Sequence, residues 1–223
     1  MHNSWNDFFT EDIKKELDSI WNKIDLIRST PSKDKAMRLF DFDLNELKVL
    51  IIGMDPYPQQ NRATGRAFED GTITNWSQLK RNPSLSNILK LLHSNKFKSP
   101  IAPLHQVKNA LANNNYIAPP NKLFDGWENQ GVLLVNAALT CTIDKPGSHL
   151  SLWQEFIKKV LNYIDSYNTE AIWLVWGNDA LALTKNRCKK MVSYHPRLHY
   201  KKAGSFLNEN HFAKVNYINW SGT

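Results

Sequence analysis

Three short, uninterrupted apolar runs set the limits on how this chain folds. They are Val49-Leu50-Ile51-Ile52-Gly53, Gly131-Val132-Leu133-Leu134-Val135 and Ala171-Ile172-Trp173-Leu174-Val175-Trp176. None alternates apolar with polar residues, so none suits a strand with one face in water. Such runs, bounded by turn residues, read as strands buried on both faces, as in a parallel sheet covered by helices. A fourth strand is expected over 190–194, ending in Met191-Val192-Ser193-Tyr194.

Helical spacing fills the gaps. Trp5, Phe8, Phe9, Ile13, Leu17, Ile20, Trp21, Ile24 and Ile27 recur near a 3.6-residue period, predicting one amphipathic helix over 5–28 within an N-terminal segment 1–30. Ser84 is expected to cap a helix through about Leu92. Further helices are expected from about Leu152 to Tyr163, from Asp179 with Asn178 as its cap, and near 207–217. Residues 93–124, with Pro100, Pro103, Pro119, Pro120 and an Asn113-Asn114-Asn115 run, read as a long irregular insertion. Strands alternating with helices predict an α/β fold: one domain over 1–223, an α/β/α sandwich around a central, mainly parallel four-stranded sheet.

Composition narrows the function classes. Hydrophobic residues make up 42% and charged residues 22% of 223 residues, as expected of a globular chain. No apolar run approaches the roughly 20 residues of a membrane span. Met1-His2-Asn3-Ser4-Trp5-Asn6-Asp7 has neither a basic nor an apolar leader segment, so a cytoplasmic protein is expected. The two cysteines, Cys141 and Cys188, form no CxxC pair and read as free thiols. The net charge of +7 clusters late, at Lys185, Arg187, Lys189 and Lys190 and at Arg197, His199, Lys201 and Lys202. Such a field fits nucleic acid, whose phosphates release counterions on neutralisation, or else a solvated basic face.

Three of the four expected strand ends carry a chemically active residue. Ligands of open α/β sheets bind outside the carboxyl ends of the strands, so Asp55, Asn136 and His195 are expected in one crevice. Pro56 holds Asp55 extended, and its carboxylate can orient a water or face a developing cation; a simple turn aspartate is the other reading. Asn136 interrupts an apolar run, and its amide offers a donor and an acceptor in one plane, suited to a base edge or to loop backbone. A neutral His195 can donate to an oxyanion, or pack in a core. Phe68 can stack on a base or fill the core. Gly53, Gly65 and Gly71 fit no phosphate-binding loop, and the histidines show no metal-ligand spacing.

The order of these residues resembles a known family. Gly53-Met54-Asp55-Pro56-Tyr57 is similar to the Gly-Gln-Asp-Pro-Tyr-His motif of family 1 uracil-DNA glycosylases. Ala63-Thr64-Gly65-Arg66-Ala67-Phe68 resembles that family's Ala-His-Gly-Leu-Cys-Phe, and Pro83-Ser84-Leu85-Ser86-Asn87-Ile88 its Pro-Ser-Leu-Lys-Asn-Ile. Gly126-Trp127 through Gly131-Val132-Leu133-Leu134-Val135-Asn136-Ala137-Ala138-Leu139-Thr140 is the closest match. Ser148-His149, Leu174-Val175-Trp176-Gly177, His195-Pro196, Asn210-His211-Phe212 and Ile218-Asn219-Trp220 follow in family order, so the resemblance spans about 45–220.

The resemblance implies a base-flipping enzyme that hydrolyses an N-glycosidic bond in DNA, with no metal or cofactor, acting as a monomer. It implies that Asp55 and His195 are catalytic and that Asn136, Phe68, Tyr57 and Met54 surround the base. Ser84, Arg197, Leu198, His199, Tyr200 and Lys201 are expected against DNA. Met54 and Pro58 stand where the family has Gln and His, and Arg197-Leu198-His199 replaces Ser-Pro-Leu. These departures keep three readings open: a glycosylase for uracil, one for a modified pyrimidine such as a 5-modified cytosine in defence against phage DNA, and a non-catalytic DNA-binding or processivity subunit.

Overall fold

A computed structural model describes residues 1–184, 187, 189–198 and 202–223. Cys188, and the proposed DNA contacts His199, Tyr200 and Lys201, lie outside the described residues. In chain order the elements are α1 (Glu11–Trp21), β1 (Ser29–Thr30), α2 (Lys33–Ala36), β2 (Val49–Gly53), α3 (Pro83–Phe97), α4 (Leu104–Asn113), α5 (Pro120–Glu128) and β3 (Val132–Asn136). They continue with β4 (Cys141–Thr142), α6 (Leu150–Tyr167), β5 (Ile172–Trp176), α7 (Asn178–Leu183), β6 (Lys190–Ser193), α8 (Phe206–Glu209) and α9 (His211–Lys214).

The expected sheet is present. Its order is β3-β2-β5-β6 and each neighbouring pair is parallel, while β1 and β4 form a separate antiparallel pair. Alternate residues serve two cores. Leu50, Ile52, Leu133, Val135, Trp173 and Val175 pack with Trp153, Phe156 and Val160 of α6. Val49, Ile51, Val132, Leu134, Leu174 and Trp176 pack with Leu85, Ile88 and Leu89 of α3 and Trp127 of α5. Both faces are thus covered, which is why the runs carry no polar alternation. Truncating one of these side chains, such as fully buried Leu50 to Ala, costs about 2–5 kcal/mol.

The chain steps from β2 to β3 on one side, then crosses over β2 to β5 on the other. That reversal is the topological switch point at which α/β sheets open a crevice. It lies at Gly53 and Trp176, the carboxyl ends of β2 and β5.

Several expected elements differ. The helix expected over 5–28 is shorter, because the Thr10 hydroxyl accepts the Ile13 N–H and starts α1 at Glu11. Trp5 precedes it in a short 3-10 turn, its indole donating to the Phe42 carbonyl at 2.9 Å, so its burial comes from packing and not from the helix. Ile27, which fitted the apolar period, is 90% exposed. Residues 93–124 are not irregular: α3 runs on to Phe97, and α4 and the start of α5 fill most of the remainder. Pro103 and Pro119 occupy N-cap positions and Pro120 the first turn, where proline starts a helix instead of breaking one. Val107, Leu111, Ile117 and Leu123 from this stretch are core residues. The cap of α3 is Asn82, not Ser84, since the Asn82 Oδ1 accepts the Leu85 N–H at 3.1 Å. Gly177, not Asn178, is the N-cap of α7. The helix expected near 207–217 breaks into α8 and α9 at Asn210, which is left-handed at φ 43°. Among the described residues no helix is long and apolar enough to cross a membrane.

Candidate active site

A cavity of about 420 Å³ opens at the switch point. Asp55, Asn136 and His195 all line it, with Met54, Tyr57, Phe68 and Ser84. The three strand ends therefore converge as expected, although 59 to 140 residues separate them in the chain.

Asp55 follows β2 in a loop tied down on one side. The Gly53 and Met54 carbonyls accept the Ala137 and Ala138 N–H groups at 2.9 and 3.0 Å, and the Pro58 carbonyl accepts the Asp144 N–H at 3.0 Å. Pro58 has no N–H of its own, so it joins this lattice as acceptor only. The Gly147 N–H donates to Asp55 Oδ2 at 2.5 Å, fixing one carboxylate oxygen. Burial pushes the Asp55 pKa up; the Gly147 hydrogen bond opposes this, and the nearby Asp179 carboxylate adds to it.

Asn136 ends β3, in register with Gly53 on β2. It is 3% exposed, and among the described residues its side-chain amide has no protein partner. Its polar atoms stay open to the cavity, so the amide is free to pair with something that enters. Glycine at 53 makes its position available. A Cβ there would fall 2.5 Å from Asn136 Oδ1 and 2.8 Å from the Ala67 Cβ, closer than real contacts allow.

His195 follows β6. Its Nδ1 accepts the Arg197 N–H at 3.1 Å, so in the neutral ring the proton sits on Nε2. Burial, reinforced by Arg197 and opposed by Asp179, lowers its pKa to about 4. At neutral pH it is therefore an uncharged imidazole with one N–H to donate. Gly177 leaves room for it: at φ +106° it turns the chain out of β5, and a Cβ there would press on the His195 Cβ at 3.2 Å.

Phe68 is also half-buried at the cavity, held in the left-handed region at φ 67°. Its ring lies 5.3 Å from Trp176 and 6.0 Å from His195, centroid to centroid, and lines the cavity. A non-glycine residue at positive φ stores strain, of order 1–3 kcal/mol, that surrounding contacts must hold. The Tyr57 hydroxyl supplies one, donating to the Phe68 carbonyl at 3.1 Å.

Arg197, which is exposed, Leu198, and Ser84 in the first turn of α3 also line the cavity. The sequence reading missed Asp179 and Asn178, which line the cavity from the start of α7. The available signal was position: an acid three residues past the end of a parallel strand. A wider groove, of about 800 Å³, opens among Asp34, Asp43, Glu69, Asp125 and Glu128. Glu69, Asp125 and Glu128 there are engaged by Arg66 and Arg38, and the groove's excess of acids repels phosphate, so the smaller cavity is the better site for chemistry on DNA. Among the described residues no cluster of His, Cys, Asp and Glu has metal-binding geometry.

The chain is similar to known proteins in both sequence and fold. The family model described as uracil DNA glycosylase superfamily matches residues 40–218. The chain is 31% identical over 194 residues to a uracil-DNA glycosylase of Francisella tularensis, covering 83% of this chain and 77% of that one. It is 31% identical over 195 residues to a uracil-DNA glycosylase of Coxiella burnetii, covering 84% and 74%. Its fold matches a crystal structure of wild-type UNG from Nitratifractor salsuginis with a TM-score of 0.77, at 21% identity, over 98% of this chain and 92% of that one.

Proposed function

This chain belongs to the uracil DNA glycosylase superfamily, and we propose that it is a monofunctional, monomeric DNA glycosylase that excises uracil. The observation that carries this reading is the convergence of Asp55, Asn136, Phe68 and His195 on one cavity at the switch point.

The cavity lies at the end of a sheet and cannot admit an intact duplex, so the target nucleotide enters flipped out, or from a single strand. The base stacks on Phe68, and the unpaired Asn136 amide reads its Watson–Crick edge with one donor and one acceptor. As the N-glycosidic bond breaks, the sugar gains oxocarbenium character and the base gains negative charge. Asp55, with one oxygen fixed by Gly147, faces the cation with the other and orients the attacking water. His195 donates its Nε2–H to the base oxyanion. Because the ring starts neutral, the donation stabilises charge that develops only in the transition state. The products are the free base and an abasic site, with the strand left uncut. Exposed Arg197 and the first turn of α3 at Ser84 face the DNA backbone.

A purely DNA-binding role has little support here. It needs neither an amide open to the cavity nor a tautomer-fixed neutral histidine beside a carboxylate. The test is a set of oligonucleotides, single- and double-stranded, carrying uracil, thymine or a 5-modified cytosine, scored for alkali-labile sites. Cleavage at uracil supports the proposal. Cleavage confined to the modified cytosine would overturn the choice of base, and DNA binding without cleavage on any substrate would overturn catalysis.

A further inference from the structure

Tyr57 lines the base cavity with Phe68, and the family resemblance implies that it packs against C5 of a flipped pyrimidine. Three separate contacts hold it. Its hydroxyl donates to the Phe68 carbonyl at 3.1 Å and accepts the Asn82 Nδ2–H at 2.9 Å. The Arg62 guanidinium lies over its ring, 4.4 Å from the centroid. We propose that Arg62 and Asn82 are positioning residues that lock Tyr57 as a rigid wall, and so set how strictly the enzyme rejects 5-substituted pyrimidines. This rests on the uracil reading above.

Both braces are themselves fixed. Arg62 Nε donates to Asp70 Oδ2 at 2.8 Å and Nη1 to Gln59 Oε1 at 3.0 Å, and Asp70 is 4% exposed. Asp70 also accepts the Thr72 N–H and hydroxyl, so the carboxylate that orients Arg62 is held on its other side. The Arg62 charge is therefore committed to Asp70 and the Tyr57 ring instead of a DNA phosphate. Asn82 is 4% exposed and cannot turn away, because its Oδ1 caps α3 through the Leu85 N–H at 3.1 Å. Its amide thus joins the start of α3 to the loop after β2. Burial pushes the Tyr57 phenol up to about 12, which keeps its proton available for the Phe68 carbonyl.

The consequence is mechanical. A methyl or bromine at C5 needs the wall to retreat by about an ångström, and packed interiors resist even one-methylene changes. With the ring stacked under a guanidinium and its tip bonded to two elements, retreat breaks three contacts together. Because the Phe68 carbonyl is one of them, moving the wall also disturbs the residue proposed to stack on the base. Neither Arg62 nor Asn82 lines the cavity, so both act through Tyr57.

The experiment compares wild type with Arg62→Met, Arg62→Lys, Asn82→Ser and the Arg62→Met/Asn82→Ser double variant. Single-turnover excision is measured on strands carrying uracil, 5-fluorouracil, 5-bromouracil or thymine. Serine keeps a capping oxygen at 82, and lysine keeps the charge beside Asp70, so each variant has a form that preserves folding. Wild type is expected to excise uracil and 5-fluorouracil and to reject the two bulky bases. Arg62→Met raises the 5-bromouracil-to-uracil ratio about twofold to fivefold, as loss of a cation–π contact allows, and the double variant raises it about tenfold. Uracil rates stay within about twofold. Arg62→Lys, which loses the flat guanidinium face, also relaxes the ratio, separating stacking from charge. Tyr57→Ala is the control. If it admits 5-bromouracil while the brace variants leave the ratio unchanged, the brace is wrong and the cavity stands. If Tyr57→Ala still rejects it, Tyr57 is not the wall and the base orientation itself is wrong. A wild type inert on every strand overturns both.

Discussion

Gly53→Ala is the smallest change that tests how the base-reading amide is placed. The added Cβ would lie 2.5 Å from Asn136 Oδ1 and 2.8 Å from the Ala67 Cβ. Neither neighbour can yield freely, since Asn136 ends a strand paired with Gly53 itself and Ala67 is fully buried next to Phe68. Overpacking of this kind costs about 1–3 kcal/mol. At about 2–4 °C per kcal/mol for a chain of this size, Tm should fall by roughly 2–12 °C. Asn136 is also driven off the base edge, and losing a paired amide of about 1–3 kcal/mol predicts a fall of about fivefold to 150-fold in kcat/KM for uracil. The assay is single-turnover excision with a parallel melt, run as a cycle with Asn136→Ala. Removing the amide removes the clash with Oδ1, so the double variant should be no slower than Asn136→Ala alone, a non-additivity of at least about 1 kcal/mol. Additive losses, or a Gly53→Ala enzyme within twofold of wild type, would refute the idea that Gly53 exists to seat Asn136.

Asp55 acts as a carboxylate whose pKa burial raises, so its protonation contributes to the acid limb of kcat/KM. Asp179→Asn removes a negative neighbour and should move that limb to lower pH; an unmoved limb contradicts the coupling. His211, 2% exposed, accepts the Trp176 indole N–H at 3.1 Å, and burial lowers its pKa from 6.5 to about 4. The unfolded chain binds the extra proton between those values, so stability is full above 6.5 and falls by about 3 kcal/mol as pH drops to 4. Urea melts of His211→Gln should show a flatter pH dependence over that window; an unchanged slope would exclude His211 as its source. Arg197→Ala should weaken DNA binding at low salt and reduce the salt slope by about 1, measured by anisotropy; unchanged affinity removes Arg197 from the interface.

The sheet was legible because doubly buried strands need long apolar runs, and such runs admit few other folds. The convergence of Asp55, Asn136 and His195 followed from one rule about strand ends. Helix limits were harder to read. Nothing in the apolar period of 5–28 reveals that Thr10 takes the Ile13 N–H, and the prolines at 103, 119 and 120 look alike whether they end helices or start them. Asp179 carried only a positional signal, since its aim into the cavity depends on the turn at Gly177, which a linear reading does not orient. The brace on Tyr57 joins residues 57, 62, 68 and 82 through side-chain contacts that carry no periodic signature.

The central claim is that the carboxylate at the end of β2 performs the chemistry. Its most direct test is the rate of alkali-labile site formation on a uracil-containing strand by wild type and Asp55→Asn, at matched Tm and matched DNA affinity. Wild type should form alkali-labile sites at uracil and leave the thymine control intact, with Asp55→Asn slower by about 10²–10⁴. Equal rates for the two proteins would contradict the assignment of Asp55 and the mechanism built on it.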